Sequence, residues 1–137
     1  TDYVDLFLNH WPLPMYYGGD FGSTWAVLEE FLAQGSARAI GVSNFEPHHL
    51  EKLFQTAATK PQVNQIESHP YLQQDELHKF DATHGIVFPK ASSRQRQSEN
   101  LDIFDFELSS TDLELIASLE RGEEGRTGKH PDVMDRL

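Results

Sequence analysis

His10, the pair Ser43-Asn44, Gln65 and Lys90 carry the groups in this chain best suited to hold or polarise a ligand. Each stands at or near the end of a short strand-like run. An imidazole can donate or orient a proton near neutral pH, although a lone histidine at a strand end more often serves structure. Ser43, Asn44 and Gln65 together offer two amides and a hydroxyl. That set suits a planar ligand with both donors and acceptors, such as a carboxamide. The plainer role for Ser43 or Asn44 is to cap the next helix. Lys90 with Arg96 suits a phosphate, a point charge beside a planar fork. No acidic residue falls between Asp81 and Glu99, whereas Lys90, Arg94 and Arg96 do. In an acidic chain such a gap is either an anion site or a solvated basic face.

These residues need elements to position them. Tyr3 to Asn9 reads as a buried strand closed by His10-Trp11-Pro12, since Pro12 ends ladder pairing. A loop with Pro14, Gly18, Gly19 and Gly22 leads to a helix from about Trp25 to Gln34, capped by Ser23 or Thr24 and ended by Gly35. Ala39 to Val42 is a second strand, followed by a helix from about Pro47 to Thr56. Gln62 to Glu67 is a third, followed by a helix from about Gln73 to Thr83 with Gly85 beyond it. Ile86-Val87-Phe88 is a fourth apolar run, and the polar stretch Ser92 to Asn100 is its helix. A last helix starts at Ser109 with Asp112 at N3 and a Leu108/Leu113 staple, and runs to about Glu120. Residues 1–121 form one α/β domain on this reading. The segment 122–137, with little to pack, is expected to be a flexible tail.

Strand and helix thus alternate four times before the extra helix, which predicts parallel strands with helices outside. Chemistry in such folds sits at the carboxyl ends of the strands. All four ends here carry polar groups, and that repetition favours a ligand site over simple caps. A carboxamide contact at one end and a phosphate contact at the other describe a nicotinamide dinucleotide. No Gly-x-Gly-x-x-Gly motif opens a helix, so a Rossmann mode is not indicated.

Composition narrows the field further. The formal net charge of −11 over 137 residues argues against non-specific binding to nucleic acid or anionic lipid. With no cysteine there is no disulfide framework or thiolate metal site. His48, His49, His69, His78 and His84 show no convergent ligand spacing and His-Glu-x-x-His is absent, so no metal is expected. No apolar run approaches the ~18 residues of a membrane-spanning helix, and the cytoplasm is the expected location.

Asp5-Leu-Phe-Leu-Asn-His-Trp-Pro12, Ala39-Ile-Gly-Val-Ser-Asn-Phe45, Val63-Asn-Gln-Ile-Glu67 with His69-Pro-Tyr-Leu-Gln-Gln74, and Phe88-Pro-Lys90 leading to Glu99-Asn-Leu-Asp-Ile-Phe-Asp-Phe106 resemble the aldo-keto reductase family. The pattern is most similar to its 2,5-diketo-D-gluconate reductase-like branch. The resemblance covers nearly the whole chain in the family's order. It implies a partial, half TIM barrel of about four parallel βα units plus a C-terminal helix. It also implies NADPH as cofactor and reduction of aldehydes or ketones, such as keto sugars or keto esters, to alcohols. His10 becomes the histidine of the catalytic tetrad and Trp11 a wall of the substrate pocket. Ser43, Asn44 and Gln65 would hold the nicotinamide carboxamide, and Lys90 and Arg96 the 2′-phosphate. Glu99 and Asn100 would lie at the adenine. Ala91 stands where the family usually has serine, leaving Ser92 or Ser93 to replace that phosphate contact.

The resemblance also implies absences. The family's first three strands, with its catalytic Asp, Tyr and Lys, have no counterpart. Neither has the seventh strand, which would fall between Ile86 and Val87. Weak turnover is one expectation, with His10 as proton donor and Tyr16 or Tyr17 as weaker candidates. A non-catalytic, NADPH-binding or self-assembling remnant is the other. Four strands leave open edges, which predicts a homo-oligomer.

Overall fold

The computed structural model describes residues 2–86, 98, 102 and 106–135. Its sheet consists of β1 (Phe7–Asn9), β2 (Ile40–Ser43) and β3 (Asn64–Gln65), all parallel and in that order. Phe7 pairs with Ile40 and Asn9 with Val42, while Ser43 pairs with Gln65. Helices α1 (Gly22–Ala33), α2 (Pro47–Phe54), α3 (Asp75–Thr83) and α4 (Ser110–Ala117) follow as the apolar spacing requires. None is long and apolar enough to cross a membrane.

β2 is the hub because it is paired on both sides, and all four of its residues are buried. Alternation puts Ile40 and Val42 on one face, where they join Trp25 and Leu28 of α1 and Leu50 and Leu53 of α2 in the core. Gly41 is required between them. A Cβ there would stand 2.5 Å from the Val63 carbonyl and 2.8 Å from Leu8 Cδ2. Burying a leucine such as Leu50 contributes about 2 kcal/mol, so this cluster dominates the stability of the unit.

The expected elements shorten where pairing stops. Tyr3 to Asn9 is not one strand. Val4 bridges Ala37 and β1 begins only at Phe7. β1 has no second neighbour among the described residues, and Tyr3, Val4, Leu6 and Phe7 are exposed beside it. α1 begins at Gly22 rather than Trp25, and neither Ser23 nor Thr24 caps it. The Asp20 carboxylate, one turn earlier, accepts from the Ser23 amide at 3.0 Å. Gly35 follows in the left-handed region at φ 75°, as a helix terminator does.

α4 starts as expected. Ser109 Oγ accepts from the Asp112 amide at 3.2 Å, and the Asp112 carboxylate accepts from the Ser109 amide at 3.0 Å. The Leu108/Leu113 staple does not shield its members, which remain about half exposed. Gln73 Nε2 instead ties the helix down through the Ile116 carbonyl at 2.7 Å.

Beyond Gly122 the structure departs from the expectation of little packing. Gly122–Gly125 and Pro131–Val133 form 3-10 turns, and Pro131 is buried. The Arg126 side chain is only 7% exposed, between Glu123 at 2.7 Å and Glu46 at 3.7 Å. Charged and small residues dock here because partners distant in the chain await them. Of the fourth apolar run only Ile86 is described; it is buried, with its amide on the Asp81 carbonyl at 2.9 Å. The helix expected over Ser92 to Asn100 lies outside the described residues, Ser98 apart.

Candidate cofactor-binding site

The polar groups at the carboxyl ends of β1, β2 and β3 converge. Ser43 Oγ donates to the Gln65 carbonyl at 2.8 Å, and the Asn44 amide donates to the same oxygen at 3.0 Å. Asn44 then turns into the left-handed region at φ 62°, which asparagine tolerates better than most residues. That turn directs its Nδ2 to the His10 carbonyl at 3.0 Å and to Ser43 Oγ at 3.1 Å. One side chain thereby links the ends of β1 and β2, and one carbonyl links β2 to β3.

With Nδ2 committed in this way, Asn44 Oδ1 remains an open acceptor. Neither it nor the Gln65 side-chain amide has a hydrogen-bond partner among the described residues. An acceptor oxygen and a primary amide at the ends of neighbouring strands together match a carboxamide, which donates through nitrogen and accepts through oxygen. Ser43 is 2% exposed and supports the pair from beneath. The imidazole of His10 is exposed and tilted against the half-buried Trp11, ring centres 5.7 Å apart. Lys90, Ser92, Arg96, Glu99 and Asn100 lie outside the described residues.

Three groups near this site carry no obvious sequence signal. Asn64, fully buried on β3, bonds to Phe45 and to Asp81 of α3. A polar residue between the apolar Val63 and Ile66 was the available hint. Glu67 accepts from the amide and hydroxyl of Thr127, both at 2.7 Å, from His69 at 3.0 Å and from the Gly128 amide at 3.3 Å. Burial works to raise the Glu67 pKa, but these donors together hold it down at about 2.

The third group corrects the expectation that no histidines converge. His48 Nε2 and His49 Nε2 each lie 3.0 Å from Asp132 Oδ1. Only His48 hydrogen-bonds Asp132; His49 Nε2 nears the same oxygen without hydrogen-bond geometry, and the group is not a ready cation site. His49 Nδ1 accepts the Glu46 amide at 3.1 Å, so the proton of the neutral ring sits on Nε2, the atom a cation would need. Burial first, and then the neighbouring His48, push the His49 pKa down to about 4 and keep the ring neutral.

The chain is similar to known proteins. The aldo/keto reductase family pattern matches residues 1–89. A glyoxal reductase from Bacillus subtilis is 38% identical, covering 97% of this chain and 62% of its own length. Methylglyoxal reductase DkgA from Escherichia coli is 31% identical, covering 96% and 63%. The chain therefore spans about six tenths of the length of these relatives. The alignment to the glyoxal reductase runs over 178 positions against 137 residues, so at least 41 of them have no counterpart here. Among solved structures, a Gox0644 variant in complex with NADPH superposes with a TM-score of 0.80 at 31% identity, covering 98% of this chain and 65% of that one. An aldo/keto reductase from Brucella melitensis gives 0.69 at 34% identity, covering 87% and 62%. The strands and helices described above are thus part of a TIM barrel. The chain belongs to the aldo/keto reductase family.

Proposed function

We propose that the chain binds NADPH and serves the reduction of aldehydes or ketones, keto sugars or keto esters among them, to alcohols. The observation that carries this reading is the open amide edge of Asn44 and Gln65, held by Ser43 at the meeting point of three strand ends. Its donor and acceptor set fits a nicotinamide carboxamide. In the same reading Lys90 and Arg96 meet the 2′-phosphate, helped by Ser92, and Glu99 and Asn100 contact the adenine. Bound NADPH supplies the hydride. The chain's own part is to fix the carboxamide edge and to bring a proton to the carbonyl oxygen. His10 suits the second task because its ring is exposed at the end of β1 and can be reprotonated from water. Trp11 beside it walls the substrate. The proposed setting is the cytoplasm, in keeping with a chain that has no cysteine to oxidise.

Following NADPH oxidation with an activated keto compound, for wild type and His10→Ala, tests the reading. A rate that falls on substitution supports it, and a rate indifferent to the substitution removes His10 from the mechanism. The shortfall of at least 41 aligned positions favours a second reading, an NADPH-binding remnant without turnover. Binding without any rate above background would select it. The exposed Leu6 and Phe7 beside β1 further suggest that this edge pairs with a second copy of the chain. Light scattering that returned a monomer at micromolar concentration would refute that pairing.

A further inference from the structure

Asn64 and Asp81 form a buried brace directly beneath the amide edge. Phe45, the residue after the left-handed Asn44, is held by both of its backbone groups. Its amide donates to Asn64 Oδ1 at 3.4 Å, and its carbonyl accepts from Asn64 Nδ2 at 2.9 Å. The β2–β3 ladder ends at Ser43 and Gln65, so the Asn64 side chain stands in for the missing next rung. The second proton of Nδ2 goes to Asp81 Oδ2 at 3.1 Å. That bond reinforces the orientation that the Phe45 amide and carbonyl already impose, because a flip would set like groups together at Phe45 and oxygen against the ionised carboxylate. Asn64 and Asp81 are both fully buried, and Asp81 Oδ1 has no partner among the described residues. A buried carboxylate with one donor and an orphaned oxygen is costly unless it does something that an apolar residue would not.

We propose that Asn64 and Asp81 are positioning residues for the nicotinamide end of the cofactor, a role that rests on the NADPH reading above. Asn64 clamps the chain on the far side of Asn44, and Gln65 follows it on the same strand. The Asn64 side chain thereby ties the residue after Asn44 to the residue before Gln65. Asp81 acts at one remove, by helping to hold the Asn64 amide in its working orientation. A loss at either residue loosens the edge without touching the phosphate-binding half of the site.

The test compares NADPH with adenosine 2′,5′-bisphosphate, which has the phosphate and adenine but no nicotinamide, by calorimetric titration. Asn64→Leu is expected to weaken NADPH about tenfold, the worth of one or two misplaced hydrogen bonds, and to leave the fragment's affinity unchanged. Asp81→Leu is expected to do the same more mildly, whereas Asp81→Asn, which still offers an acceptor to Asn64, keeps the wild-type value. Should Asn64→Leu fail to fold, the two Asp81 variants carry the comparison alone. Folded variants that bind NADPH like wild type, or that lose NADPH and fragment in parallel, overturn the brace while leaving the cofactor reading intact. A wild-type chain that binds neither molecule overturns both.

Discussion

Two carboxylates flank the end of β3 and meet opposite fates. Asp81 lies in the core with a single donor, the Asn64 amide, and no cation among the described residues. Burial pushes its pKa up to about 7, against the smaller downward pull of Asn64, and Glu46 adds to the rise. Glu67 stands just beyond the strand and is also shielded, yet it takes two amides, a hydroxyl and an imidazole and ends at about 2. Burial acts upward on both. Two things separate them: Asp81 is fully buried whereas Glu67 is partly open to water, and Glu67 collects more donors, each of which lowers the pKa. The two therefore serve differently. Asp81 steadies the amide edge from inside, and Glu67 ties the Thr127–Gly128 segment to the end of β3.

The largest effect should come from removing the ionisation of Asp81. Its folded pKa lies above its unfolded one of 3.8, so its contribution to stability is present below about pH 4 and is lost as pH rises through 7. Asp81→Asn, which keeps the neutral form at every pH, should match wild type near pH 4 and exceed it at pH 8 by on the order of 3 kcal/mol. Chemical denaturation at the two pH values checks this. A gain equal at both would place the effect in packing and break the comparison.

Glu67 should show the opposite sign and a smaller size. Its folded pKa is depressed, so its contribution is present above the unfolded pKa of 4.5 and fades as pH falls toward 2. Glu67→Gln should lower stability at pH 7 by about 1 kcal/mol, because the site is partly open to water and screened. The same denaturation series should show the deficit shrinking at pH 3. A deficit independent of pH would mean that shape, rather than charge, holds the segment.

The contrast between these carboxylates also marks what could be read without coordinates. Strands and helices from Phe7 to Thr83 were legible because Ile40, Val42, Leu50 and Leu53 fall at strand and helix spacings. Ser43, Asn44 and Gln65 were legible as polar ends of buried strands, and the structure brings them together. Asn64 was not, since its bonds to Phe45 and Asp81 depend on a β2–β3 register that neighbouring residues do not reveal. The docking of residues 122–135 was hidden for a related reason. Thr127 with Glu67, and Asp132 with His48 and His49, pair over separations that local pattern does not reach. The 3-10 turns that present Thr127 and Asp132 leave only Gly and Pro as a trace.

The account turns on the amide edge of Asn44 and Gln65 taking the nicotinamide carboxamide. Asn44→Gly tests that most directly, because glycine keeps the left-handed backbone and removes only the side chain. Titration with NADPH should show binding about tenfold weaker than wild type, with the affinity for adenosine 2′,5′-bisphosphate unchanged. NADPH affinity equal to wild type would contradict it.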